Sequence, residues 1–259
     1  MKDEILADMQ PLVRGNIRLA ATVMLVRDGA AGLEVYMVKR PGRGDFPDLH
    51  VFPGGKVDED DFAPELCLGF DDENASTQLG IDAGGLRYWV AVARECFEEC
   101  GVLLAYRDGE PLEFSAIAQR RRFEDYRQQL LDGDLSFADL CQREQLSIAW
   151  DRLAYFSHWL TPEVAPRRFD TRFFVAAMPE HQHTLAHTTE TADDDWEVAA
   201  NALARFANGQ WQMIDPTLRS LETLSEYDSV GSLLAGVDEG DHLMPLTAAL
   251  MAQGMQPLR

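Results

Sequence analysis

Cysteine is scarce. Four thiols (Cys67, Cys96, Cys100 and Cys141) in 259 residues are too few to staple a chain of this length, which excludes a disulfide scaffold. No run of eighteen apolar residues occurs, so no membrane-spanning helix is expected. Basic residues are outnumbered, 23 against 44 acidic, for a net charge of −21. That argues against a general nucleic-acid binder, because phosphate contact needs clustered Lys and Arg. Glycine and proline, 19 and 12 residues, are too few for a collagen-like or low-complexity chain. Met1-Lys2-Asp3-Glu4 carries acids where a secretory signal has an apolar core, and Gln256-Pro257-Leu258-Arg259 matches no retention or peroxisomal tripeptide. The expectation is a cytoplasmic protein with neither nucleic acid nor membrane as partner.

What is present has the balance of a folded domain, 46% hydrophobic and 26% charged, and fits one large or two small domains. Asn16 to Val26 reads NIRLAATVMLV and Leu33 to Arg40 reads LEVYMVKR, two strand-forming runs around Arg27–Gly32, a turn containing Asp-Gly. Pro41 to His50 is a loop leading through Val51-Phe52 to Pro53-Gly54-Gly55. Residues 62–85 look irregular and polar. From Leu86 to Gly101 the stripe Trp89, Val92, Ala93, Cys96, Cys100 predicts a helix closed by Gly101. Residues 114–148 read as largely helical with a break at Gly133, and Ser157 to Met178 as two strands around Pro162 and Pro166. Asp195 to Ala207 reads as a helix capped by Asp195, and helical character continues after Pro216.

The chemistry concentrates in Arg94-Glu95-Cys96-Phe97-Glu98-Glu99-Cys100-Gly101-Val102. Glu95, Glu98 and Glu99 stand at i, i+3 and i+4, which puts three carboxylates within roughly a 100° arc of one helix. A solvated acidic face would read the same way, since like-charge neighbours on an exposed helix cost only about 0.2–0.5 kcal/mol per pair. The alternative is a hard-cation site, because Mg²⁺ and Mn²⁺ take oxygen ligands. Arg94 adjoins the cluster and can orient a carboxylate by a bidentate contact. Cys96 and Cys100 share a helix face and read as core thiols. His158, Trp196 and Trp211 read as structural.

Arg94-Glu95-x-x-Glu98-Glu99-x-Gly101-Val102, downstream of Pro53-Gly54-Gly55, resembles the Nudix box, Gly-x5-Glu-x7-Arg-Glu-U-x-Glu-Glu-x-Gly-U with U aliphatic. Six positions agree within nine residues, with Cys96 in place of the first U. The first half departs from the pattern. Five residues lie between Gly55 and Asp61, which stands in place of Glu, and 32 residues separate Asp61 from Arg94 where the box has seven. This interrupted box resembles the branch of peroxisomal coenzyme A diphosphatase-like Nudix proteins. Similar segments are Val51–Asp58, Glu98–Leu104, His158–Pro162 and Arg167–Phe174, within a resemblance spanning roughly residues 16–225.

The resemblance implies an α/β/α sandwich around a mixed sheet, with an insertion inside the box and added C-terminal helices. The domain plan it implies is a leader (1–14), a Nudix domain (15–214) and a C-terminal helical extension packed on it (215–259). The box insertion is about 62–88, a lid, a dimer contact or a tolerated surface loop, and a helical insertion is about 114–148. It implies a Mg²⁺- or Mn²⁺-dependent hydrolase that cuts the pyrophosphate of a small nucleotide conjugate, in this branch coenzyme A or acyl-coenzyme A. ADP-ribose, NADH and dinucleoside polyphosphates are the alternative substrates, and a non-catalytic nucleotide sensor is the alternative role. A homodimer is an open expectation. Carried over by position, Glu95, Glu98, Glu99 and the Gly55 carbonyl are metal ligands, with Glu95 also a possible base, and Arg94 holds the glutamates. Asp61 is a further metal candidate, with Asp58 as its substitute. Glu190, in the acidic loop before Trp196, is the candidate base outside the box. Arg40, Phe52 and Arg168 are the substrate-side candidates, with Arg43, His50 and Arg172 nearby. Many coenzyme A-cleaving Nudix enzymes share Arg and Gly four residues apart, the Gly four before the Phe of FPGG. Those places hold Gly44 and Asp48 here.

Overall fold

The computed structural model describes residues 5, 9–40, 48–185 and 193–242. Strand β1 (Val13–Arg14) pairs with the start of β2 (Ile17–Gly29), so the leader's end joins the sheet. β2 and β3 (Gly32–Lys39) form the expected hairpin, but the strands run further than the sequence indicates. Arg27 and Asp28 belong to the strand, Arg27 pairs across to Glu34 at 2.7 Å, and only Ala30 and Ala31 turn. Short β4 (His50–Val51) pairs with β3, and β5 (Gly54–Lys56) pairs with β2.

The segment read as irregular is folded, with one face exposed and the other buried. It holds 3₁₀ turns at Glu59–Asp61 and Pro64–Leu66 and helix α1 (Asp72–Leu79). Phe62, Leu66, Phe70, Ala75 and Leu79 are buried in the core. Phe70 stacks on Trp150 at 4.5 Å and meets Trp89 edge-on at 5.1 Å. The box insertion is therefore a core element, neither a lid nor a tolerated surface loop. Its apolar residues are spaced irregularly, which hid them from periodicity.

Helix α2 (Leu86–Cys100) follows, and Gly101 closes it at φ +71°. Small strands β6 (Ala105–Arg107), β7 (Glu110–Pro111) and β8 (Leu146–Ile148) form a separate sheet. Between β7 and β8 lie α3 (Ile117–Asp132), which ends at Gly133 as expected, and α4 (Phe137–Arg143). Residues 146–148, expected to be helical, are a strand because they pair with β6.

β9 (Leu153–Leu160) and β10 (Arg168–Ala177) are antiparallel, and β10 runs parallel to β2. β11 (Asp193–Val198) adds to β3, giving the mixed order β11-β3-β2-β10-β9. Asp195 is therefore inside a strand and caps no helix. Helix α5 (Ala199–Ala207) starts four residues later with Val198 at its N-cap, because pairing with β3 takes the preceding backbone. α6 (Asp215–Leu224) and α7 (Val230–Glu239) complete the described chain.

Strand alternation sorts the core into two layers. Leu19, Ala21, Val23 and Leu25 of β2 face α2 and the insertion, while Met24 and Val26 face α5, α6 and α7. The result is the α/β/α sandwich around a mixed sheet that the resemblance implied. Among the described residues, no helix is long and apolar enough to cross a membrane.

Candidate active site

Every residue of α2 is buried except Glu98, which is partly exposed. Such a helix cannot carry a solvated acidic face. Glu95 and Glu99 are each only 8% exposed. The first turn is secured by the insertion: Asp72 accepts the Gly84 and Leu86 N–H groups at 2.8 and 2.9 Å, and the Ser76 hydroxyl accepts that of Gly85 at 2.9 Å. These contacts satisfy amides that a helix N-terminus otherwise leaves unpaired.

Arg94 sits at the centre of the acids. Its Nε and Nη2 grip Asp61 Oδ1 and Oδ2, each at 2.9 Å, and Nη1 donates to Glu95 Oε1 and Glu98 Oε2, each at 2.9 Å. Nη2 also donates to the Lys56 carbonyl at 2.8 Å, tying α2 to β5. Glu99 is held from the other side, accepting the Gly54 N–H at 2.8 Å. A Cβ on Gly54 would strike the Ala21 carbonyl, and a Cβ on Gly55 would overlap the Glu95 carboxylate. The Gly-Gly pair therefore lets β5 approach the acidic turn closely.

The electrostatics follow from this packing. Burial pulls the Arg94 guanidinium down, but Asp61, Glu95 and Glu98 outweigh it and hold Arg94 above its ordinary value. Burial raises the Glu95 carboxyl well above its usual range; Arg94 opposes the shift and Glu99, Glu98 and Asp61 add to it. Burial likewise raises Asp61 against the pull of Arg94.

The sequence candidates separate clearly. Arg94, Glu95, Glu98, Glu99 and Gly55 come together. Asp61 joins them as an anchor: it is 1% exposed, both oxygens are engaged by Arg94, and Oδ2 also accepts the Asp58 N–H at 2.7 Å. This corrects its assignment as a metal ligand. Asp58 is exposed and its carboxylate lies 3.6 Å from Arg94. Phe52 is 3% exposed and packs in the second core, under the C-terminal helices, so it does not face a substrate. Arg168 pairs with Ile17, five positions along β2 from Thr22, which pairs with Gly54. That is roughly 17 Å of strand, and Arg168 Nε donates to the Thr161 carbonyl at 2.8 Å. Arg40 is half-buried at the end of β3, and its N–H donates to Leu49. His50 is buried and stacks on Trp211 at 4.2 Å. His158 is structural, bonded to Asp170 at 2.6 Å. Glu190 and Arg43 lie outside the described residues.

Sequence reasoning missed Arg127 of α3, which donates to the Glu98 and Glu99 carbonyls at 2.9 Å each. It also missed the cap from Asp72. Neither has a local signal, since each partner lies more than ten residues away. A cavity of about 130 Å³, lined by Phe97, Phe114, Phe123, Leu185, Arg120 and Arg127, lies beside α3; none of the three glutamates lines it.

Among the described residues, no three carboxylate, imidazole or thiol groups converge to hold an ion as they stand, because Arg94 draws Glu95 and Glu98 to itself. The donor set nevertheless suits a hard divalent cation. Glu95 fronts Gly55 at the place where a Cβ would intrude, Glu99 accepts the Gly54 N–H, and Glu98 shares the Arg94 guanidinium with Glu95.

Residues 84–224 match a family model described as the NUDT19 Nudix domain. The chain belongs to the NUDT19 Nudix family. Its relatives include proteins named acyl-coenzyme A diphosphatase NUDT19. The Gallus gallus protein is 27% identical over 87% of this chain and 72% of its own length. The Homo sapiens protein is 24% identical over 79% of this chain, and the chain spans less than two thirds, 64%, of that relative. A crystal structure of a NUDIX hydrolase from Alicyclobacillus acidocaldarius matches with TM-score 0.71 at 25% identity, over 86% of this chain and 97% of that one. The Arg and Gly of the coenzyme A motif are absent from this chain, which has Gly44 and Asp48 in their places. Asp48, where the coenzyme A motif has Gly, adopts φ +59°, the left-handed conformation that glycine favours.

Proposed function

We propose that this protein is a Nudix pyrophosphohydrolase, dependent on Mg²⁺ or Mn²⁺, that cleaves the pyrophosphate of coenzyme A or acyl-coenzyme A. The observation that carries the reading is the set Glu95, Glu98 and Glu99 on one turn of α2, with Glu95 and Glu98 held by Arg94, Glu99 by the Gly54 N–H, and Glu95 against Gly55. The family match and the relatives named acyl-coenzyme A diphosphatase support the substrate class. A cytoplasmic setting is part of the same proposal.

Glu98, Glu99, Glu95 and the Gly55 carbonyl would hold the cation. A divalent ion there neutralises phosphate oxygens and lowers the pKa of a bound water. Arg94 orients Glu95 and Glu98, and Asp61 fixes Arg94. Glu95, beside the cation site, is the candidate to take a proton from the attacking water. Without a cation the three carboxylates repel an anionic substrate. At about 5 Å and an effective dielectric of 20, each unit pair costs about 3 kcal/mol. Activity is therefore strictly metal-dependent.

The test is a product screen by mass spectrometry. The protein with Mg²⁺ or Mn²⁺ is offered coenzyme A, acyl-coenzyme A, ADP-ribose, NADH and diadenosine polyphosphates. Cleavage of a coenzyme A species into phosphopantetheine and adenosine 3′,5′-bisphosphate moieties is expected. Preference for another conjugate would replace the substrate, and nucleotide binding without cleavage would replace the enzyme by a sensor.

A further inference from the structure

The last four carbonyls of an α-helix have no partner inside the helix. In α2 they are met by three residues. The Phe97 carbonyl accepts the Gly101 N–H at 2.9 Å, and that of Cys100 accepts the Leu185 N–H at 2.7 Å. The two between them, of Glu98 and Glu99, are both taken by Arg127, through Nε and Nη2 at 2.9 Å each. Arg127 is buried and comes from α3, inside the helical insertion, 28 and 29 residues away from these partners in the chain.

The two carbonyls belong to the peptide planes that meet at the Glu99 Cα. Peptide groups are planar, so holding both carbonyls fixes the direction of the Glu99 side chain. The far end of that side chain is fixed by the Gly54 N–H at 2.8 Å. Glu99 is thus pinned at its backbone by one insertion and at its carboxylate by β5. The guanidinium matters here for its fork as well as its charge: two parallel N–H groups match two adjacent carbonyls, and an ammonium cannot reproduce that geometry.

We propose that Arg127 is a positioning residue for Glu99 and Glu98, acting through their backbone, so that the helical insertion sets the geometry of the acidic turn. The proposal rests on the function argued above, and its test separates the two. Arg127→Lys and Arg127→Gln are prepared in the full chain. Far-UV circular dichroism and urea midpoints establish that each is folded at the assay temperature. Mn²⁺ affinity is measured by the electron paramagnetic resonance of free Mn²⁺, and kcat and KM on the substrate the screen identifies.

Expected is a loss of roughly 10- to 100-fold in Mn²⁺ affinity and in kcat for both variants, with KM changed by less than about twofold. Lysine does not rescue. Mn²⁺ affinity and kcat within about twofold of the unmodified protein, with only the urea midpoint lowered, would make Arg127 a helix cap and overturn the proposal. If the unmodified protein cleaves nothing on the panel, the catalytic reading falls and the Mn²⁺ titration still decides the role of Arg127. If it binds no Mn²⁺ either, both fall.

Discussion

Arg94 grips Asp61 side-on, Nε to Oδ1 and Nη2 to Oδ2, both at 2.9 Å and both out of solvent. Thirty-two residues lie between the two in the chain, most of them the box insertion. The pair fixes the guanidinium whose remaining N–H groups hold Glu95, Glu98 and the Lys56 carbonyl. The anchor is thus aspartate where the family pattern has glutamate.

Asp61→Asn leaves the Arg94 fork facing an amide that can match only half of it. Loss of one partner of a buried ion pair costs about 3–5 kcal/mol, so the urea midpoint falls substantially. Asp61→Glu keeps the charge and crowds a closed site, at about 1–3 kcal/mol. Equal midpoints for Asp61→Asn and the unmodified protein would remove Asp61 from its role as anchor.

Glu95 makes the metal-free protein less stable as pH rises. Its folded-state carboxyl is raised, so the folded chain holds that proton more tightly than the unfolded one. The stabilisation is complete below the unfolded value of about 4.3 and is lost as pH rises through the folded one. Glu95→Gln flattens this limb in calorimetry with EDTA, while abolishing turnover. A limb that falls as steeply with pH in the variant as in the unmodified protein would refute the electrostatic reading.

Asp170 works in the opposite sense. Burial raises its carboxyl, but His158, Arg172 and Arg14 outweigh burial and hold it below the ordinary range. Its contribution is present above the unfolded value near about 3.9 and is lost as pH falls through the folded value. Asp170→Asn destabilises by about 3–5 kcal/mol at pH 7 and removes that share of the acid limb from urea midpoints measured between pH 6 and pH 3. An unchanged acid limb contradicts the assignment.

Asp48 holds a left-handed conformation that costs a side-chain-bearing residue about 1–2 kcal/mol, less for Asp than for most. Asp48→Gly therefore raises the urea midpoint or leaves it unchanged. A clear loss of stability would mean that the Asp48 side chain, more than the turn, is what the loop requires.

The sequence made the acidic turn legible because its signal is local: three carboxylates at i, i+3 and i+4, a following glycine and an apolar stripe. The hairpin was legible for the same reason, through two strand-forming runs and a turn. What escaped depends on distant partners. Phe70 between Trp150 and Trp89, Asp72 beneath Gly84 and Leu86, and Arg127 behind Glu99 have no periodic signature. Asp195 offered a convincing cap until β3 claimed its backbone as strand. Phe52 adjoins the Gly-Gly turn in sequence, yet it packs under the opposite layer of helices.

The most direct measurement compares Glu99→Gln with the unmodified protein on the best substrate of the screen, at saturating Mg²⁺. The account predicts a folded variant whose kcat falls by more than about 100-fold, beyond what loss of an outer-shell partner costs. A folded Glu99→Gln protein that turns over at a rate close to the unmodified one would contradict it.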